Sequence, residues 1–183
     1  NNKYRYIHYN YNNKDTVMAS TNFVATQNNT DVFNKDIRKI RYDVFVIEQQ
    51  CPVEEEWDEH DAIATHYLLT DNGVPVACSR SRQYHLDDGT DVVKLERFAV
   101  LKEHRGKKYG KVLVEETIKR VYELNKDRNF PCYIINAQQY VEKFYEKLGF
   151  ITDTNIPIFY EANIPHVRMA IPIQTVKSIA GES

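Results

Sequence analysis

The stretch of residues 92–124 constrains the fold of this chain more than any other. It consists of an apolar strand, VVKLERFAV, a basic turn with two glycines, LKEHRGKKYG, and an amphipathic segment, KVLVEETIKRVYEL, with apolar residues at helical spacing. A turn that brings backbone N–H groups and lysines to a helix N-terminus is suited to binding an anion. The sequence therefore predicts a strand, turn and helix with a phosphate-sized anion site at the turn.

The composition excludes several classes of protein. With 183 residues, 42% of them apolar, the chain suits one globular domain with a sizeable core. Its formal net charge of −2 argues against nucleic acid as a partner, and no apolar run approaches the roughly 20 residues of a membrane span. Cys51, Cys78 and Cys132 are too widely spaced for a disulfide framework. We therefore expect a cytoplasmic protein without a membrane partner.

The first half of the chain predicts a leader, a strand, a helix and a meander. Residues 1–22 are rich in Asn and Tyr, which favours either a disordered leader or an additional strand. A short strand follows, and then apolar residues at spacings of four, three and four predict a helix that stops at Pro52. Turn signals at 71–73 and 87–89 divide the next residues into three antiparallel strands.

The second half predicts a helix after the glycine turn, a buried strand at 132–137, a short helix at 140–148 and a closing hairpin. From Gln174 onward we expect a polar tail that frays. Taken together, the pattern predicts an α/β or α+β fold with a mixed sheet and a ligand site at a βα junction. We place a single domain at residues 23–173, followed by the tail at 174–183.

Several motifs, in order along the chain, resemble those of the GCN5-related N-acetyltransferase (GNAT) superfamily. The turn RGKKYG at 105–110 resembles R/Q-x-x-G-x-G/A, and VEKFYEKLGF at 141–150 resembles A-x-x-F-Y-x-K-x-G-F. VFVIEQQCP at 44–52, INAQ at 135–138 and IPHVRM at 164–169 resemble segments of the bacterial branch typified by the ElaA and YjcF proteins. The resemblance implies a mixed, mostly antiparallel sheet flanked by helices, with acyl-CoA in a cleft between two splayed central strands.

The resemblance implies that the glycine turn binds the pyrophosphate of acetyl-CoA and that a backbone N–H near residues 98–100 stabilises the oxyanion. The alternative is a glycine-bearing helix start with solvated lysines. The residues that the resemblance places at the cofactor are Phe98, Ala99, Val100, Arg105, Gly106, Lys107, Lys108, Tyr109, Gly110, Lys111, Gln138 and Tyr145.

Lys108 departs from the family pattern, which usually has glycine at this position. Its Cβ restricts the backbone, whereas its charge favours a phosphate. We expect a helix-compatible φ at Lys108, so that the lysine is tolerated.

The resemblance also implies catalytic roles. Tyr145 matches the position of the general acid that protonates the leaving thiolate. The alternative is that Tyr145 is a core aromatic residue whose hydroxyl is hydrogen-bonded elsewhere. Glu96 is the first candidate for the base, because on an ideal strand it shares a face with Phe98 and Val100 and would be partly buried. The alternative is that Glu96 forms a salt bridge with Arg97, with Lys94 or with a neighbouring strand. Glu48, at the end of the first predicted helix, is the second candidate, and its alternative is a solvated helix end.

The acceptor side has weaker signals. The acidic loop at 54–61, with Trp57, suits a cationic amine but equally suits a solvated surface. No usual zinc spacing is present among the His and Asp residues of this region, so we predict no metal, and we expect the ring of His66 to be hydrogen-bonded. The candidate acceptor residues are Glu48, Gln49, Trp57, His166 and Arg168.

The sequence thus predicts an N-acetyltransferase that uses acetyl-CoA and acts on a primary amine, preferably a small molecule, by direct attack in a ternary complex. One alternative is a protein or peptide N-acetyltransferase. Another is a ligand-binding or sensor module with the same fold and weak catalysis. We expect a monomer or a homodimer.

Overall fold

The computed structural model describes residues 20–182, and its strands form an eight-stranded sheet. The strands hydrogen-bond in the order β1-β2-β3-β4-β5-β8-β6, and β7 pairs with β8. β4 and β5 are parallel, whereas β5 and β8 are antiparallel. The strands are β1 (Thr21–Thr26), β2 (Thr65–Asp71), β3 (Val74–His85), β4 (Asp91–Val100), β5 (Cys132–Gln138), β6 (Ile151–Thr152), β7 (Phe159–Glu161) and β8 (Ile164–Pro172).

Helices lie between β1 and β2, between β4 and β5, between β5 and β6, and after β8, which confirms the predicted mixed α/β class. Short 3₁₀ turns occur at Glu59–Ala62, Lys102–His104 and Gln139–Val141, and π-helical turns at Phe33–Ile37 and Tyr42–Glu48. The α-helices are α1 (Arg38–Arg41), α2 (Val53–Glu56), α3 (Tyr109–Leu124), α4 (Glu142–Glu146) and α5 (Ile173–Ile179).

The described chain divides into two compact units. The first unit comprises the described residues up to Arg80 together with Arg97–Leu113, and the second comprises Ser81–Glu96 and the residues from Val114 onward. Strands β3 and β4 and helix α3 each continue from one unit into the other.

The first unit is built around the predicted first helix. Thr30 caps this helix, because its hydroxyl accepts a hydrogen bond from the Phe33 N–H at 3.2 Å. The apolar spacing correctly predicted the buried face, although two parts of the helix have π-type rather than α-type hydrogen bonding. The buried residues of this cluster are Phe33, Ile37, Ile40, Val44, Leu68, Cys78, Ala99 and Leu101.

The second unit is built around β5. Tyr133, Ile134 and Ile135 are all buried, as expected for a strand with both faces covered. The whole length of β5 pairs with β8, from Cys132 with Pro172 to Gln138 with His166. The parallel pairing of β4 with β5 is recorded at Val93 with Tyr133 and Lys94 with Ile134, near the start of β5.

The C-terminal segment is ordered, and the prediction that it frays was wrong. It forms α5, which contacts β8 and β5 and fully buries Val176. After the helix, the Glu182 carboxylate accepts hydrogen bonds from the Tyr122 hydroxyl at 2.5 Å and from Lys126 Nζ at 2.8 Å. The polar composition concealed Ile173, Val176 and Ile179, whose spacing of three is a short helical stripe.

Between Ser20 and Glu182, no helix is long and apolar enough to cross a membrane.

Gly149, three residues after the end of α4, tests the packing of α5. Its φ is +99°, and an added Cβ would lie 2.8 Å from Thr175 Cγ2, whereas Gly89, with φ +84°, has open space around it. We expect Gly149→Ala to lower the free energy of unfolding by about 1–3 kcal/mol more than Gly89→Ala, since both share the backbone cost and only the first adds a steric overlap. Urea unfolding of the two variants measures this difference, and equal losses would contradict the packing of α5.

Candidate active site

The glycine turn lies in the first unit, between the 3₁₀ turn Lys102–His104 and α3. Its residues from Arg105 to Lys108 are exposed. The Val112 N–H donates to the Lys108 carbonyl at 3.2 Å, so the helix begins directly after Lys108. α3 is 16 residues long, and its N-terminal N–H groups follow the turn, which is the arrangement that favours an anion.

Lys108 has a backbone conformation that we did not expect. Its φ is +65°, in the left-handed region that favours glycine, and Gly106 has φ +78°. The prediction of a helix-compatible φ at Lys108 was therefore wrong. The turn needs a left-handed residue immediately before α3, and this chain meets that need with a lysine at a steric cost.

Arg105 is held inside the turn rather than left free. Its Nε donates to the Val100 carbonyl at 3.0 Å, and its two Nη groups donate to the two carboxylate oxygens of Glu48, one of them at 3.0 Å. The hydrogen bond from Arg105 lowers the pKa of Glu48. Arg105 thus positions the turn against the end of β4, and Glu48 is a weaker proton acceptor than a free glutamate.

Lys107 and Lys108 remain as the available cations of the turn. Both side chains are exposed, and neither forms a salt bridge within the described part of the chain. Because Arg105 is paired with Glu48, these lysines supply the unpaired positive charge of the turn.

Tyr109 anchors the start of α3. Its hydroxyl donates a hydrogen bond to the Asp71 carboxylate, which also accepts one from the Ser20 hydroxyl. These hydrogen bonds lower the pKa of Asp71, and the same contact raises the pKa of Tyr109. The buried ring of Tyr109 and its bond to the end of β2 therefore fix the helix N-terminus in the first unit.

The end of β4 is irregular. Arg97 has φ +56°, which interrupts the alternation of an ideal strand. Glu96 and Ala99 are buried, whereas Phe98 and Val100 are half-buried. The expectation that Glu96 shares one face with Phe98 and Val100 assumed an uninterrupted strand, and the backbone at Arg97 removes its basis.

Glu96 itself is ion-paired within the second unit. Its carboxylate lies 3.0 Å from Arg82 Nη2 and 3.1 Å from Lys94 Nζ. The ion pair with Lys94 was one of the alternatives to a catalytic role.

Tyr145 is a buried residue of α4 in the second unit. Its ring packs edge-on against Phe144 and Phe150, with ring centroids 5.1 and 5.5 Å away. Burial raises the pKa of Tyr145, so the phenol is protonated at neutral pH and has a proton to donate. Gln138, the last residue of β5, is half-buried and pairs with His166 of β8.

The acidic loop forms a buried charge network in the first unit, which neither sequence interpretation described. Arg41 Nε donates to Glu56 at 2.5 Å, and Arg41 Nη1 donates to Asp61 at 2.7 Å. Burial opposes the charge of Arg41, but the carboxylates of Glu56 and Asp61 raise its pKa. Burial raises the pKa of the Glu56 carboxyl, although the neighbouring guanidinium groups oppose that shift.

Two further arginines complete the network. Arg80 Nη1 donates to Asp58 at 2.7 Å and to Asp61 at 2.8 Å. Arg97 pairs with Glu56 at 3.1 Å and with Asp58 at 3.3 Å. The carboxylates of Glu56, Asp58 and Asp61 are therefore neutralised by the protein itself, which leaves these three poorly suited to attract a cationic amine.

The Trp57 ring also has contacts within the protein. The guanidinium carbons of Arg38 and Arg41 lie 4.1 and 4.6 Å from the centre of its ring. These contacts are cation–π interactions with the first helix, so the ring has partners without an acceptor amine. The sequence contained a signal for this arrangement, because Arg41 falls four residues after Ile37, on the apolar stripe of the helix.

The remaining predicted acceptor residues have separate roles. Gln49 is half-buried at the end of the second π-helical turn, where its N–H donates to the Val44 carbonyl at 3.1 Å. The buried His166 ring stacks on Phe159, and its Nδ1 lies 2.7 Å from the Ile164 carbonyl. These partners all lie in the closing hairpin, so the His166 ring helps to hold that hairpin together.

His66 is fully buried in β2, and its Nε2 lies 3.0 Å from the Asp61 carbonyl, as expected for a hydrogen-bonded strand residue. Burial lowers the pKa of His66, which favours the neutral ring. In residues 20–182, no cluster of three or more His, Cys, Asp or Glu side chains is placed to hold a metal ion.

Comparison with known proteins relates this geometry to one family. The chain matches the family model described as an acetyltransferase (GNAT) domain over residues 16–173. It is 36% identical over 135 residues to the uncharacterized N-acetyltransferase YjcF of Bacillus subtilis, covering 74% of this chain and 89% of that protein. It is 32% identical over 133 residues to the protein ElaA of Escherichia coli, covering 72% and 82%.

Solved structures have the same fold. The crystal structure of Escherichia coli ElaA matches with a TM-score of 0.68 and 26% identity, over 82% of this chain and 99% of that chain. An acyl-CoA N-acyltransferase from Pseudomonas aeruginosa matches with a TM-score of 0.70 and 24% identity, over 83% and 99%. The latter match shows a shared fold.

The left-handed backbone of Lys108 leads to a stability prediction. We expect Lys108→Gly to raise the free energy of unfolding by about 1 kcal/mol, because glycine adopts φ +65° without a Cβ clash. Lys107→Gly is the matched control, since it removes the same charge from a residue without positive φ. Chemical denaturation of both variants measures the difference, and a Lys108→Gly protein no more stable than the control would contradict it.

The buried network leads to a second stability prediction. Arg41→Met removes a guanidinium that serves two buried carboxylates, and we expect it to lower the free energy of unfolding by about 3–5 kcal/mol. Lys39→Met breaks the exposed pair with Asp43 in the same helical segment and should change stability little. Thermal and urea unfolding compare the two, and similar losses would show that the network contributes no more than a surface pair.

Proposed function

The chain belongs to the GNAT acetyltransferase family, and from this premise we propose that it is an N-acetyltransferase that transfers the acetyl group of acetyl-CoA to a primary amine. The observation that carries the proposal is the glycine turn of the first unit. Its two left-handed residues, Gly106 and Lys108, lie directly before the N-terminus of α3.

The turn has the charge that a pyrophosphate needs. Lys107 and Lys108 are exposed and free of salt bridges among the described residues, and the N–H groups at the start of α3 add the positive end of the helix dipole. Lys108 keeps the left-handed φ that glycine would adopt. Its presence in place of the family's glycine therefore supports retained binding rather than a weakened sensor module.

Direct transfer is the mechanism that we propose. The amine nitrogen forms a bond to the acetyl carbonyl carbon, the carbon–sulfur bond of the thioester breaks, and the amine loses a proton while the thiolate gains one. A covalent cysteine route has little support, because burial raises the pKa of Cys51, Cys78 and Cys132, that of Cys78 to about 12. A thiol with a raised pKa is a poor source of thiolate.

We assign the proton donor for the leaving thiolate to Tyr145, which is protonated at neutral pH. A backbone N–H near residues 98–100, at the irregular end of β4, is our candidate for the oxyanion donor. Glu96 remains our first candidate for the base. Glu48 is less favoured, because its hydrogen bond from Arg105 lowers its pKa.

The first experiment measures binding and turnover of acetyl-CoA. We expect acetyl-CoA to raise the melting temperature and CoA to be released with at least one member of a panel of polyamines, aminosugars, amino acids and peptides. Turnover of the small amines in preference to peptides would support the small-molecule proposal. No thermal shift together with no CoA release would contradict the enzyme proposal and favour a non-catalytic module.

The second experiment tests Tyr145. Tyr145→Phe keeps the buried ring but removes its proton, so we expect kcat to fall at least about tenfold while acetyl-CoA affinity changes little. Tyr160→Phe, at an exposed residue of β7, is the matched control. An unchanged kcat for Tyr145→Phe would remove this tyrosine from the mechanism without affecting the family assignment.

A further inference from the structure

Three cations surround one aromatic ring in the second unit. The Tyr84 ring, on β3, lies with its centre 5.3 Å from the guanidinium carbon of Arg82, 5.3 Å from Lys94 Nζ and 5.6 Å from the guanidinium carbon of Arg168. These residues and Glu96 form what we call the Tyr84 cluster. All except Glu96 are half-buried, and Glu96 is buried.

The Tyr84 cluster has one carboxylate, that of Glu96, which does not balance the positive charge of its three cations. Arg82 and Lys94 share Glu96, at 3.0 and 3.1 Å. Arg168 uses its Nε to donate to the Asn136 side-chain carbonyl at 2.8 Å. Within residues 20–182, Arg168 forms no salt bridge, and its two Nη groups have no hydrogen-bond acceptor.

Holding the three half-buried cations of the Tyr84 cluster close together costs free energy unless a further negative charge offsets their repulsion. Like charges that are partly removed from water repel one another more strongly than charges on the surface. A cation–π contact with Tyr84 offsets part of that cost but supplies no formal negative charge. The planar fork of Arg168 suits a carboxylate or a phosphate, which it can bind with two parallel hydrogen bonds.

We propose that the Tyr84 cluster binds an oxyanion, a carboxylate or a phosphate, carried by the acceptor amine. The proposal rests on the proposed N-acetyltransferase function and narrows its acceptor to amines that also carry a negative charge. Arg168 makes the direct contact, and Lys94 and Arg82 supply the surrounding positive charge. Glu96, our candidate base, belongs to the same cluster.

The test compares acceptors that differ in charge and little else. L-amino acids are paired with their α-amides, and O-phosphoethanolamine is paired with ethanolamine, in a CoA-release assay with acetyl-CoA. We expect kcat/KM for the charged member of at least one set to exceed that of its neutral partner by about tenfold to hundredfold, the range for a hydrogen-bonded charge pair. The amino-acid set tests whether the site binds a carboxylate, and the ethanolamine set tests whether it binds a phosphate.

Arg168→Gln then tests the residue. We expect it to reduce the ratio of kcat/KM between charged and neutral acceptors about tenfold or more, mainly through KM for the charged acceptor. Arg128→Gln is the matched control, because Arg128 also stacks on a ring, that of Phe130 at 4.6 Å, and also bonds a side-chain amide, that of Gln83 at 2.6 Å. The control should keep the ratio unchanged.

The outcomes separate this inference from the proposed function. Equal rates for charged and neutral acceptors, or an Arg168→Gln variant with an unchanged ratio, would overturn the oxyanion site while leaving the N-acetyltransferase intact. If acetyl-CoA neither binds nor turns over, the proposed function fails first. The melting temperature of Arg168→Gln without ligand shows whether a loss of discrimination comes from misfolding. Arg168→Lys keeps the positive charge, so it should recover part of the ratio of kcat/KM between charged and neutral acceptors.

Discussion

The buried charge network of the first unit is the constraint on which the local structure of that unit depends. Arg41, Arg80 and Arg97 pair with three carboxylates of the acidic loop, those of Glu56, Asp58 and Asp61, at N–O distances of 2.5–3.3 Å. A buried charge without a partner is costly, so removing one member leaves its partners destabilised. The network therefore ties the loop to the first helix, to β3 and to the end of β4.

The same network explains how a strained residue is held in β4. Arg97 has φ +56°, a conformation that a non-glycine residue adopts at a cost. Its side chain is tied to Glu56 and Asp58, and these contacts can offset that cost. The irregularity falls immediately before Phe98, where we place the backbone donor for the oxyanion. The acidic loop thus helps to shape the end of β4.

Local patterns predicted the elements, whereas the site depends on conformations and pairings that patterns do not encode. The apolar run of β5 and the spacing of Phe33, Ile37 and Ile40 predicted a buried strand and a buried helix face, since burial follows periodicity. The positive φ of Lys108 could not be predicted from periodicity, because the geometry of the whole turn determines it. The position of Arg41 on an apolar stripe was a readable signal, but its carboxylate partners lie 15 and 20 residues later.

The two candidate bases, Glu48 and Glu96, are both paired with cations. Arg105 binds Glu48 and lowers its pKa, and that pair also holds the glycine turn, so Glu48 cannot be released without disturbing the turn. Glu96 is held by Arg82 and Lys94, both of which belong to a cluster with excess positive charge. An oxyanion bound in that cluster would offset part of the excess positive charge around Glu96, because opposite charges attract more strongly where water is partly excluded.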